Sequence, residues 1–184
     1  MIAICIGHSR PNDGGSTSVG GVSEHTFNSR IGAMVVSRLT AMGEACTMIG
    51  AYQGTSYGLA MTWLAGRLKD LRATVCVELH FNDADASASG HQWLYCSGSP
   101  RGKRLAQLFD GRMQAAFPTL HARGTVGLGK DDRGWGFVYG TPCLAVICEP
   151  FFGSNQSDWD LINSHQDRLA QVIADGLTDF ISKP

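Results

Sequence analysis

The stretch Ala73-Thr74-Val75-Cys76-Val77-Glu78-Leu79-His80-Phe81-Asn82 decides how this chain is read. Ala73–Leu79 is nearly all apolar and rich in β-branched side chains, the pattern of a strand buried on both faces. A helix-period stripe precedes it, through Tyr57, Ala60, Met61, Leu64, Leu68 and Leu71. Working outward, the alternation of strand and helix repeats. Ile2–Ile6 predicts a buried strand broken by Gly7-His8. Phe27, Ile31, Met34, Val35, Leu39 and Met42 predict a helix from about Glu24 to Gly43. Ala45–Ile49 predicts another strand. On the far side, His91–Cys96 alternates as a strand. Ser99-Pro100 opens a helix, with Ser as N-cap and Pro in the first helical position, and Pro118 stops it. Residues 119–134 read as a polar loop, Gly136–Tyr139 as a short strand, Pro142–Cys148 as a buried run, and Ser157 to Ser182 as one long helix. The expected fold is α/β: a single domain with a twisted, mixed, mostly parallel sheet flanked by helices on both faces.

Composition narrows the class. The 184 residues suit one domain. A net charge of −1 gives no electrostatic reason to expect nucleic acid as partner. No apolar run approaches the roughly 18 residues of a membrane helix, so no membrane insertion is expected. The start, Met1-Ile2-Ala3-Ile4-Cys5-Ile6, lacks the basic segment of a signal peptide. The six cysteines form no Cys-x-x-Cys pair, and most lie in or beside apolar runs, so they read as small buried hydrophobes kept reduced.

The chemistry collects at strand ends. In open α/β sheets, sites lie beyond the carboxyl ends of the strands. Here the first strand ends at His8, the central one at His80, and the Pro142–Cys148 run at Glu149. Glu is scarce, occurring only at positions 24, 44, 78 and 149. Glu24 opens a helix and projects with Phe27 and Ile31, the buried face. A carboxylate there is costly unless it is paired or bound to metal. Two imidazoles and one carboxylate make a three-ligand zinc site with a fourth position open for water, the arrangement of catalytic rather than structural zinc. Hydrolysis then needs a carboxylate outside the metal shell to carry protons, and Glu149 is placed for it. Glu78 shares the side of its strand with His80, as a partner orienting that histidine or as a surplus ligand. Glu44 reads as solvated. His25 reads as a surface residue and His165 as core-edge, while His91, at a strand start, and His121, in a loop, do not read as metal ligands.

Gly7-His8, Glu24 at a helix start, Glu78-Leu79-His80-Phe81-Asn82 and Glu149-Pro150-Phe151-Phe152-Gly153-Ser154-Asn155 together resemble the zinc-dependent N-acetylmuramoyl-L-alanine amidases of bacterial autolysins and phage endolysins. The resemblance runs over nearly the whole chain. It implies one Zn2+ held by His8, Glu24 and His80, and Glu149 as catalytic acid/base. It implies cleavage of the amide joining the lactyl group of N-acetylmuramic acid to L-alanine of the peptidoglycan stem peptide. Asn82 and Asn155 fall on motif positions that shape such sites or touch substrate. Two motifs depart from the family: Gly7-His8-Ser9-Arg10 stands for Gly-His-Gly-Gly, and Glu149-Pro150-Phe151-Phe152 for Glu-x-Gly-Phe. Residues 1–184 are expected to form the catalytic domain alone, without a cell-wall-binding domain, acting as a monomer. The expected role is phage lysis: an enzyme made in the host cytoplasm, released by a separate pore, and acting on peptidoglycan in the periplasm or wall. The competing readings are a zinc peptidase for another peptidoglycan amide, a non-catalytic wall-binding module with no use for Glu149, and a cysteine hydrolase using Cys76 or Cys148.

Overall fold

The computed structural model describes residues 1–182. The elements follow in the order β1 (Ile2–Ile6), α1 (Glu24–Ala41), β2 (Cys46–Ile49), α2 (Tyr57–Asp70), β3 (Val75–Leu79) and β4 (His91–Cys96). Then come α3 (Pro100–Ala116), β5 (Ala122–Leu128), α4 (Trp135–Gly140), β6 (Leu144–Glu149), α5 (Gln156–Asn163) and α6 (Gln166–Ser182). One sheet runs in the order β2-β1-β3-β6-β4-β5. β2, β1, β3 and β6 are parallel, β4 is antiparallel to β6, and β5 is parallel to β4. This is the expected mixed, mostly parallel sheet.

The period-2 alternation of the strands sorts residues onto two faces. Ile2, Ile4 and Ile6, with Val75, Val77, Leu79 and Val146, meet α1, α3 and α6. Ala3, Cys5, Cys76, Ala145 and Ile147 face the other way, under α2 and α4. The second face is lined by small side chains, which lets its thinner helical layer pack close. That accounts for the apolar placement of Cys5 and Cys76, and all six cysteines are free thiols.

Four sequence expectations give way. Residues 119–134 are not one loop, because Ala122–Leu128 pairs with β4 as the outermost strand. As an edge strand it is exposed over much of its length and carries Arg123, Gly124 and Gly127, so it shows no hydrophobic alternation. Gly136–Tyr139 is not a strand but part of α4, which starts after Gly134 at φ 88° and buries Phe137 and Val138. A short apolar run has no period of its own, and packing against α2 decides it. The long C-terminal helix is two: α5 is closed by Ser164, and α6 starts at Gln166. His165, at that break, is exposed rather than core-edge. It bonds the Leu161 carbonyl at 2.8 Å and presents its edge to Phe117.

Candidate active site

The chain leaves β1 toward β2 on one side and returns through β3 on the other, so a crevice opens at the carboxyl ends of these neighbours. His8, two residues beyond β1, sits at φ 55° on a tight turn. Gly7 lets the His80 ring come close to this turn: a Cβ there would lie 2.2 Å from the ring, inside contact distance. His80 follows β3, and its backbone N–H bonds the Cys148 carbonyl at 3.0 Å, which sets it beside Glu149 at the end of β6. Ser23 caps α1 through the Thr26 N–H, and the helix delivers Glu24, only 3% exposed, into the crevice.

The three side chains meet. One ligand atom from each of His8, Glu24 and His80 lies within 4.8 Å of the others. Glu24 Oε1 is 2.8 Å from His80 Nδ1 and accepts from the Phe81 N–H at 3.2 Å, while its Oε2 is 3.4 Å from His8 Nε2. Asp13 holds His8 from behind, with Oδ1 2.9 Å from Nδ1, and is itself gripped by Arg10. Glu78 Oε2 is 3.1 Å from His80 Nε2, and its Oε1 accepts from the buried Tyr52 hydroxyl at 2.9 Å. Burial works to lower the His80 pKa, but hydrogen bonds to Glu24 and Glu78 and the charges of Glu78 and Glu149 raise it well above the ordinary value. Three carboxylates around two imidazoles draw positive charge, and two imidazoles with a carboxylate suit zinc by donor chemistry.

Glu149 faces this cluster without joining it. Its Oε2 is buried with no hydrogen-bond partner. Burial, reinforced by Glu24 and Glu78 and opposed by His80 and Arg133, pushes its pKa up to about 7. A carboxyl poised there can take and return a proton near neutral pH. Burial also pushes the Cys76 and Cys148 thiols well up, which disfavours the thiolate a cysteine hydrolase needs.

Beneath the site lies an aromatic knot that no sequence pattern announces. Phe27 follows Glu24 on α1, Phe81 follows His80, and Phe151 comes two residues after Glu149. Their ring centroids are 5.2–6.2 Å apart, and Trp159 of α5 stands 5.5 Å from Phe27. One packed cluster therefore ties together three of the segments that carry site residues. The departure Pro150-Phe151-Phe152 supplies one of its members.

A groove of about 860 Å3 opens over the cluster, lined by His8, Glu24, Glu78, His80, Asn82 and Glu149 among others. Asn82 also accepts from the Asp83 N–H, which shapes the loop after β3. Asn155 stands elsewhere: its side chain caps α5 and donates to the Ala86 carbonyl at 2.8 Å, bracing that same loop. Sequence reasoning missed Asp13 and Tyr52. Asp13 stands five residues after His8, a spacing that nothing marks in a coil. Tyr52 reaches Glu78 only through the tertiary fold.

No curated protein matches by sequence comparison. Solved structures do match. An N-acetylmuramoyl-L-alanine amidase of Nostoc punctiforme superposes with TM-score 0.82 at 19% identity, covering 100% of this chain and 98% of the other. The catalytic domain of an amidase from Bacillus (Paenibacillus) polymyxa var. colistinus gives 0.81 at 21%, covering 100% and 99%. The catalytic domain of an endolysin targeting Clostridia Difficile gives 0.83 at 20%, covering 97% and 96%. At these identities the likeness establishes the shared fold. The family profile described as N-acetylmuramoyl-L-alanine amidase matches residues 2–179. With that match spanning nearly all of a chain whose fold is also theirs, this protein belongs to the N-acetylmuramoyl-L-alanine amidase family.

Proposed function

We propose that this chain is a zinc-dependent hydrolase that cuts the amide between the lactyl group of N-acetylmuramic acid and L-alanine of the stem peptide. His8, Glu24 and His80 would hold one zinc ion. The observation that carries the reading is the meeting of those three donors within 4.8 Å beside the Glu149 carboxyl, one oxygen of which is enclosed and unpartnered and whose pKa is pushed up to about 7. Zinc, when bound, supplies Lewis-acid polarisation of the scissile carbonyl and acidifies the attacking water. Glu149 takes a proton from that water and returns one to the L-alanine nitrogen as the C–N bond breaks, leaving a lactyl carboxyl and a free amine. Asp13 orients the His8 ring and Glu78 the His80 ring, each through the nitrogen it contacts. Asn82, at the groove wall, is placed to meet the stem peptide.

We further propose that residues 1–184 act as one monomeric catalytic domain in phage lysis, with peptidoglycan of the periplasm or wall as the target. The fold shared with an endolysin catalytic domain supports this. Among the described residues no helix is long and apolar enough to cross a membrane.

Metal analysis and digestion of purified peptidoglycan test the reading together. We expect one zinc per chain, loss of hydrolysis on chelation with recovery on re-addition, and intact stem peptides beside bare glycan strands in the mass spectrum. Cleavage inside the stem would make the protein a peptidase of another amide. Wall binding without any release would make it a binding module, and full activity without metal would remove zinc from the mechanism. For the lysis role, the purified protein should lyse cells only when it reaches the wall; indifference of host cells to enzyme delivered there would overturn it.

A further inference from the structure

The rim of the groove on the side of α2 and α4 is aromatic. Trp135 and Tyr139 stand one turn apart on α4 and stack, with centroids 4.4 Å apart and planes 11° from parallel. Trp135 lines the groove. Tyr139, stacked against it on one side, is 66% exposed, more than any other large hydrophobic side chain among the described residues. Tyr57, at the start of α2, lines the same groove and is 46% exposed. Its ring lies 2.8 Å from where a Cβ on Gly136 would stand, so glycine at that position leaves room for the Tyr57 ring against α4.

A single exposed aromatic side chain needs no explanation, but a stacked pair with a third ring on the lining of the same groove marks a ligand surface. The flatness of the stack points to the ligand. A pyranose ring offers one apolar C–H face and turns its hydroxyls outward, so it loses little hydration when it lies on a rigid π face. A stable protein interface buries about 800 Å2 on each partner, more than three rings beside a cleft offer. We propose that Tyr57, Trp135 and Tyr139 form a platform for the sugar rings of the glycan strand. This rests on the amidase reading for the identity of the sugar. It orients the substrate: glycan runs over α4, the lactyl amide sits at Glu149, and the stem peptide leaves past Asn82 and Asp83, which line the same groove.

The test uses bare glycan strands, oligomers of N-acetylglucosamine and N-acetylmuramic acid without peptide, titrated calorimetrically against Glu149→Gln protein with and without zinc. Saturable binding is expected in both metal states. Tyr139→Ala and Trp135→Ala added to that background should each weaken binding by about tenfold. Tyr139→Phe should restore it, since the ring face does the work. Absence of binding at millimolar strand, or equal affinity in the alanine variants, overturns the platform. So does self-association of the parent that Tyr139→Ala abolishes, which would make the patch a contact between copies. Because the titration needs neither zinc nor turnover, failure of the amidase reading would leave its result untouched.

Discussion

Replacing Glu149 by Gln should cost the enzyme its turnover and make the metal-free protein more stable at neutral and alkaline pH. The side chain is half-buried, with one oxygen enclosed and unpartnered, and its pKa moves from 4.5 to about 7. His80, Glu24, Glu78 and Arg133 are the charged groups that face it. The sign follows from proton binding. Below about pH 4.5 the side chain is neutral in both folded and unfolded chains, and its contribution to stability is fully present. As pH rises toward 7 the unfolded chain ionises freely while the folded one resists, so stability is lost progressively and the loss is complete just above 7. Two and a half pH units at 1.36 kcal/mol each set a ceiling of about 3.4 kcal/mol. Gln leaves an amide in the same tight place, so the net gain expected is about 1–3 kcal/mol at pH 8, shrinking toward zero near pH 5. Urea denaturation of both proteins in chelator, at pH 5, 6, 7 and 8, reads this directly, with equal m-values required for the comparison. A difference that stays flat with pH, or favours the wild type at pH 8, would refute the enclosed, proton-holding carboxyl. With zinc restored, the same variant should lose about 10²–10⁴-fold in hydrolysis of peptidoglycan.

Other substitutions probe the supports of the site. Tyr52→Phe removes the hydroxyl bonded to Glu78 while keeping the ring, so calorimetry should find zinc affinity weakened by about tenfold or more with little change in fold; unchanged affinity would make Tyr52 a packing residue only. Gly7→Ala drives a methyl into the His80 ring and should lower metal occupancy with near-wild-type circular dichroism; full zinc stoichiometry would show that the turn yields instead. Phe151→Ala opens the aromatic knot and should cost about 3–5 kcal/mol in denaturant unfolding. A loss below about 1 kcal/mol there would mean that the knot does not hold the site together.

Much of the site is legible in the amino-acid order alone, for one reason. A buried strand leaves a strong apolar signal, and the residue just past its end is the one exposed to chemistry, so His8, His80 and Glu149 announce themselves by position. Glu24 announces itself because a carboxylate in register with Phe27 and Ile31 has to be met by something inside the fold. The alternation of strands and helices likewise dictates α/β architecture. The elements that escape the sequence lack that signal. Ala122–Leu128 is an edge strand half in water and carries no alternation. Trp135–Gly140 is too short to declare a period, and becomes a helix because α2 offers it a place to bury Phe137 and Val138. The break at Ser164 lies inside a stripe that reads as continuous. Only tertiary structure decides which strands neighbour one another, and therefore that Asp13 stands behind His8, Tyr52 behind Glu78, and three phenylalanines from distant segments beneath them all. Those are contacts between residues that share no local pattern. Local sequence carries backbone preference and hydrophobic period, whereas proximity across the chain is created by packing.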